Sequence, residues 1–154
     1  MDIRIYKLTD KNLAPFELML LADPSREMIE EYLVKGTCFV AENDNEDVIG
    51  CFVLKSNSPV EVEIMNIAVA ESYQGKGIGK QMLEYATNYA KESGYQNIVI
   101  ATANSSMYQL YLYQKIGFEM LRIERDFFVN HYSDKIEENG IPTKHKVVLG
   151  KPLT

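Results

Sequence analysis

Gln74-Gly75-Lys76-Gly77-Ile78-Gly79-Lys80 separates two runs of opposite character. Before it, Val62-Glu63-Ile64-Met65-Asn66-Ile67-Ala68-Val69 is β-branched and mostly apolar, which predicts a buried strand. After it, Ile78, Met82, Leu83, Ala86, Tyr89 and Ala90 recur at helical spacing, which predicts a helix with one apolar face. Three glycines in five residues at a helix start are costly unless something needs bare backbone there. A helix start presents unpaired N–H groups and the positive end of its dipole, and without side chains a phosphate can approach those amides. The stretch therefore reads as a diphosphate cradle; a ligand-free, flexible strand–helix connection is the plainer alternative. Two better-known phosphate loops do not fit. A Walker loop needs glycine where Gln74 stands and Ser or Thr where Gln81 stands. The dinucleotide fingerprint G-x-G-x-x-G fails because Gly75, Gly77 and Gly79 are spaced G-x-G-x-G.

Around this stretch, 154 residues suit one domain, 1–154, long enough to bury a substantial core. The net charge of −6 and the absence of a basic cluster speak against nucleic acid or an anionic membrane surface as partner. Met1-Asp2-Ile3-Arg4 lacks a signal peptide's apolar stretch, and no apolar run approaches membrane-spanning length, so a cytoplasmic location is expected. Cys38 and Cys51 sit in strand-like sequence without a Cys-x-x-Cys pair and read as small buried hydrophobes in a reducing compartment. His131 and His145 lack metal-ligand spacing, so no metal is expected.

Along the chain, residues 2–8 alternate as a first strand. Asp10 can cap a helix through about Leu21, with Pro15 disturbing its early part, and Asp23-Pro24 sets a second start with proline at the first helical position, closed by Gly36. Thr37–Glu42 and Val48–Lys55 read as strands joined by a polar turn, and the strand entering the cradle completes a meander. The helix after the cradle closes near Gly94. Asn97–Thr102 follows as a strand parallel to the one before the cradle, because a helix connects them. Asn104-Ser105-Ser106 offers caps for a helix through about Ile116, with Gly117 as its stop. Glu119–Val129 and Lys144–Leu149 read as a final antiparallel pair joined by a polar, acidic loop, about 130–143. No repeat or domain boundary is visible.

The cradle fits the pattern Gln/Arg-x-x-Gly-x-Gly/Ala, and with the apolar strand before it the chain resembles the GNAT superfamily of N-acetyltransferases. Leu112-Tyr113-Gln114-Lys115-Ile116-Gly117-Phe118 looks like that family's Leu-Tyr-x-Lys-x-Gly-Phe segment. The resemblance implies an α/β fold of one domain: a mixed, mostly antiparallel sheet splayed at a central parallel strand pair, with helices on both faces. It implies acetyl-CoA as cosubstrate and an amine as acceptor. A β-bulge would free backbone groups around Asn66–Val69 for the pantetheine arm, so the cofactor-binding residues would be Ile67, Ala68, Val69, Gln74, Gly75, Lys76, Gly77, Ile78, Gly79 and Lys80, with Asn104.

Tyr113 matches the family's general acid, and a phenol with an ordinary pKa near 10 stays protonated at neutral pH, as a donor to a thiolate must. On residues alone, Tyr113, like Tyr108 and Tyr111, could equally pack or face solvent. Asn104 could contact the cofactor or cap a helix. Glu63, in the strand leading to the bulge, is the candidate base acting through water, or an ordinary solvent-facing residue. No cysteine or serine lies in a nucleophile motif, so direct attack in a ternary complex is expected rather than an acetyl-enzyme. The acids Asp134, Glu137 and Glu138 and the net negative charge suggest a polycationic acceptor, unless these acids simply solvate a loop. A module that binds acyl-CoA without catalysis is the rival reading, and a homodimer stays open.

Overall fold

In the computed structural model, which describes residues 2–154, the two runs flanking the cradle are the centre of the sheet. The chain begins with β1 (Arg4–Lys7), a single-turn 3-10 helix (Lys11–Leu13), α1 (Phe16–Ala22) and α2 (Arg26–Lys35). A meander follows, β2 (Thr37–Glu42), β3 (Val48–Ser56) and β4 (Glu61–Val69), and then the cradle and α3 (Ile78–Glu92). Next come β5 (Asn97–Ala103), α4 (Met107–Lys115), β6 (Glu119–Glu124), α5 (Phe127–His131), the short β7 (Glu137–Glu138) and β8 (Ile141–Pro142), and β9 (Lys146–Pro152). Seven strands form one sheet in the order β1-β2-β3-β4-β5-β9-β6. All neighbours are antiparallel except β4 and β5, which the α3 crossover makes parallel.

Alternation along the central strands builds a core on each face. Phe39, Phe52, Leu54, Val62 and Ile64 turn to one face and pack with Ile78, Met82, Leu83, Ala86 and Ala90 of α3 and Phe118. Cys38, Val40, Cys51 and Val53 turn to the other and pack with Met19 of α1 and Ile29, Tyr32 and Leu33 of α2. Met82 is fully buried, so truncating it to alanine would cost about 2–5 kcal/mol. Both cysteines are free and buried, and burial pushes the Cys38 thiol up to about 11. Among the described residues, no helix is long and apolar enough to cross a membrane.

Several boundaries differ from the sequence reading. The expected helix from Asp10 is split: Asp10 caps only the 3-10 turn, and Ala14, preceding Pro15, is extended at φ −58° and ψ 134°. A residue before proline resists the helical region, so α1 restarts at Phe16. The next helix is capped by Ser25, whose Oγ accepts from the Met28 N–H at 3.2 Å, leaving Pro24 outside the first turn. The strand expected through Val129 ends at Glu124. Asp126 takes a left-handed conformation (φ 58°), donates its N–H to His145 Nδ1 at 3.0 Å, and the chain turns into α5.

Candidate active site

An extra residue in β4 opens the sheet. Against β3 the register runs Val53 with Asn66 and then Leu54 with Ile64, so Met65 is bulged out. The insertion reverses which side chains face which core. Val62 and Ile64 belong to the α3 side, whereas Ala68 belongs to the α1–α2 side. Pairing of β4 with β5 stops at Ile64 and Ile100, so residues 65–69 have no partner on that side. The Ala70 N–H donates to the Ile49 carbonyl at 2.8 Å, which sets the alternation of backbone groups. By that alternation Asn66 and Ala68 turn their N–H and C=O toward β3, and Ile67 and Val69 turn theirs into the opened gap. The Val69 carbonyl there accepts from Gln74 Nε2 at 3.0 Å, which ties the cradle to the strand.

The cradle is bare backbone at a helix start. Gly75 and Gly77 have φ of 77° and 82°, values L side chains rarely adopt, and a Cβ at either would stand clear of every other atom within 4 Å. Gly77 is the N-cap of α3; no side chain caps it, no acid lies in the first turn, and the first helical bond runs from the Gln81 N–H to the Gly77 carbonyl. The amides of Ile78, Gly79 and Lys80 are therefore available at the positive end of a helix dipole. A cleft of about 310 Å³ runs past them. Of the expected cofactor residues, Ile67, Ala68, Val69, Gln74, Gly75, Gly77, Ile78, Gly79 and Lys80 line it. Lys76 does not line it; its Nζ lies 5.1 Å from the centre of the ring of Tyr73, which does. Asn104 lines neither this cleft nor the one below. Its Oδ1 accepts from the Lys144 and His145 N–H groups at 2.9 Å and its Nδ2 donates to the Pro142 carbonyl, so the side chain holds the segment entering β9 and does not cap α4, whose N-cap is Ser106.

A second cavity, about 450 Å³, lies between α1–α2 and the segment carrying α5, β7 and β8. The two cavities share Leu21, Ala22, Ile67, Gln109 and Tyr113. Tyr113 is 5% exposed, its hydroxyl has no hydrogen-bond partner among the described residues, and burial pushes its phenol well above the ordinary value, so it stays protonated across the neutral and alkaline range. The neighbouring Tyr108 and Tyr111 are exposed.

The second cavity is acidic and aromatic. Glu63 lines it and accepts from Asn57 Nδ2 at 3.0 Å. Of the three loop acids, Glu137 and Glu138 line it and Asp134 does not. Glu138 is fixed at the start of α4, accepting from Ser106 Oγ at 2.6 Å. The stretch expected as loop is in part a hairpin: Asn139 and Gly140, both at positive φ, join β7 to β8. Asn-Gly is the sequence signal that marks such a turn, and it was readable in the chain. Asp23, Tyr32, Asn66 and Tyr132 also border this cavity, joined by hydrogen bonds across 109 residues of sequence, and no spacing announces them. Among the described residues no group of three His, Cys, Asp or Glu side chains stands close enough to hold a metal ion.

A strand pair opened at a bulge stands beside a glycine turn on a helix start, as the resemblance to acetyl-CoA-dependent N-acetyltransferases implied. The family model described as "Acetyltransferase (GNAT) family" matches residues 5–118. An N-acetyltransferase of Bacillus subtilis (strain 168), itself described as uncharacterized, is 46% identical over 147 residues, 96% of this chain and 94% of its own. A GNAT family acetyltransferase from Elizabethkingia anophelis, solved with acetyl-CoA bound, matches with a TM-score of 0.95 at 43% identity over 97% of each chain. A Bacillus subtilis acetyltransferase solved with CoA matches with a TM-score of 0.94 at 44% identity, over 99% of this chain and 100% of that one. The chain belongs to the GNAT acetyltransferase family. It is an N-acetyltransferase with acetyl-CoA as cosubstrate.

Proposed function

We propose that the 154 residues act as one unit that moves an acetyl group from acetyl-CoA directly to a primary amine of a small molecule or peptide. The observation that carries this reading is the junction: the cofactor cleft and the acidic cavity meet at Ile67 and Tyr113. Acetyl-CoA, when bound, supplies an activated thioester. Positioning falls to the unpaired backbone groups of Ile67 and the N–H of Val69, and an N–H aimed at the thioester oxygen is a preorganised donor of the kind worth a few kcal/mol. The diphosphate is held by the amides of Ile78, Gly79 and Lys80, beside the open space that Gly75 and Gly77 leave. Tyr113 donates the proton that the departing thiolate takes up. Glu63 receives the proton of the attacking amine through water. Neither Cys38 nor Cys51 lines either cavity, in keeping with attack in a ternary complex and no acetyl-enzyme.

The acceptor is read as a small polycationic amine. Asp23, Glu63, Glu137 and Glu138 line the second cavity against one basic residue, Lys146, whose Nζ lies 4.6 Å from the centre of the Phe127 ring. Release of CoA thiol across a panel of mono- and diamines, repeated at rising salt, tests both statements. No thiol release with any amine would end the first. A salt response equal for monoamines and diamines would end the second.

A further inference from the structure

Asp23 closes α1, and its carboxylate is held by three donors. Oδ1 accepts from the Tyr132 hydroxyl at 2.7 Å and from the Ser25 N–H at 3.0 Å, and Oδ2 accepts from the Tyr32 hydroxyl at 3.2 Å. None of these donors is charged. Among the described residues no lysine or arginine pairs with Asp23; the nearby Arg26 is turned to Glu30 and to the Phe16 ring. A fixed carboxylate thus faces the acceptor cavity without a countercharge.

A second, independent feature lies beside it. Asn66 is 4% exposed and borders the same cavity. Its Nδ2 donates to the Met19 carbonyl at 3.0 Å and to the Tyr32 hydroxyl at 2.8 Å, which fixes the orientation of the amide. Its Oδ1 is left as a buried acceptor with no donor among the described residues. Buried polar atoms are nearly always paired, so an orphaned acceptor on a side chain that borders the cavity marks a place where a donor belongs. An ammonium group carries several N–H donors and the charge that Asp23 lacks.

We infer that Asp23 and the Oδ1 of Asn66 form the subsite for a non-reacting ammonium group of the acceptor, and so set a preference for diamines over amines with a neutral tail. This rests on the reading of the second cavity as the acceptor site. Both residues border that cavity only, Asp23 next in sequence to Ala22 and Asn66 next to Ile67, which border both. The placement suits a charge that persists through the reaction, since the attacking nitrogen at the junction must itself be neutral.

The test compares putrescine with aminobutanol, which differ only in the distal charge, using the full chain with saturating acetyl-CoA. Wild type is expected to show a KM for putrescine at least tenfold below that for aminobutanol, and a steeper rise of the putrescine KM with salt. Asp23→Asn keeps the shape of the side chain and removes the charge; it is expected to shift the ratio of the two KM values by tenfold or more, with kcat for putrescine moved far less than KM. An equal change for both amines, or none, overturns the inference and leaves amine acetylation standing, with Asp23 only a brace. If Asp23→Asn does not fold, the wild-type comparison decides, because equal salt slopes for the two amines also overturn it. If neither amine is acetylated, calorimetric titration of putrescine into the wild-type and Asp23→Asn proteins saturated with CoA separates the questions. Binding weakened tenfold or more in the variant upholds the subsite while the acceptor assignment fails; equal binding, or none to wild type, overturns the subsite as well.

Discussion

Substituting Gly77 and Gly79 separates what the cradle does for the ligand from what it does for the fold. Gly77 sits at φ 82° and ψ 7°, and a Cβ there meets nothing within 4 Å. Gly77→Val therefore clashes with no protein atom; its cost to the fold is backbone strain, about 1–3 kcal/mol, which a domain stable by about 5–15 kcal/mol survives. The new side chain projects into the cleft that Gly77 lines. Charge-assisted bonds of the kind the cradle amides offer a diphosphate are worth about 1.5–3 kcal/mol each, and blocking one or two is set at about 2–4 kcal/mol. At 1.4 kcal/mol per factor of ten, acetyl-CoA affinity is expected to fall by roughly 30- to 700-fold. Gly79 lies inside α3 without a left-handed φ, and its Cβ would stand 4.0 Å from Val69 Cγ2, an ordinary contact. Gly79→Ala is expected to gain up to about 1 kcal/mol of helix propensity, raising Tm by about 2–4 °C, while its methyl crowds the same cleft and lowers affinity. The two variants should thus move stability in opposite directions and affinity in the same one. Titration calorimetry with acetyl-CoA, paired with thermal unfolding of each variant, reads both quantities. Wild-type affinity in folded Gly77→Val would refute the cradle, as would affinity that merely follows Tm across the two variants.

Tyr113→Phe keeps the ring that packs against Phe118, with centroids 6.2 Å apart, and removes only the hydroxyl. Acetyl-CoA binding should hold within a few-fold while turnover falls by roughly a hundredfold or more; wild-type turnover with chemistry rate-limiting would return Tyr113 to a packing role. Glu63→Gln keeps a partner for Asn57 and removes the base, so kcat/KM at neutral pH should drop roughly a hundredfold and partly recover as the amine deprotonates at higher pH; a pH-independent ratio to wild type would exclude Glu63. Outside the lining of both cavities, Glu42 accepts from Arg4 and from the Tyr6 hydroxyl, each at 2.7 Å, and these hold its carboxyl below the ordinary 4.5. A lowered carboxyl pKa stabilises the fold above the unfolded value and loses that contribution as pH falls through the folded one. Urea midpoints of wild type and Glu42→Gln should therefore differ at neutral pH and converge below about pH 4.5; a constant gap would show that packing alone is involved.

Where sequence reading reached the right element, a local cause was at work. Val62–Val69 and Ile78–Ala90 declare strand and helix by periodicity, and the glycines between them need no tertiary partner to permit φ of 77° and 82°. Where it missed, the deciding contact lay far away in the chain. Nothing between Glu119 and Val129 announces that the strand stops at Glu124; the turn is held by Asp126 bonding to His145, nineteen positions on. The split of the first helix is legible in Pro15, because the residue before a proline resists helical backbone.

The sequence by itself determined the family, the glycine turn at the start of α3 and the position of Tyr113, because each rests on residues close together whose spacing is a property of the local backbone. Only the tertiary structure decided the second cavity. Asp23, Tyr32, Asn66 and Tyr132 come from α1's end, α2, β4 and the turn after α5, and only the packed sheet brings them to one cavity wall. The same packing sets Glu137 and Glu138 at that cavity and leaves Asp134 outside it. Hydrogen bonds between residues 9, 34 and 109 positions apart leave no period in a linear chain, so the chemistry of that cavity appears only once the chain is folded.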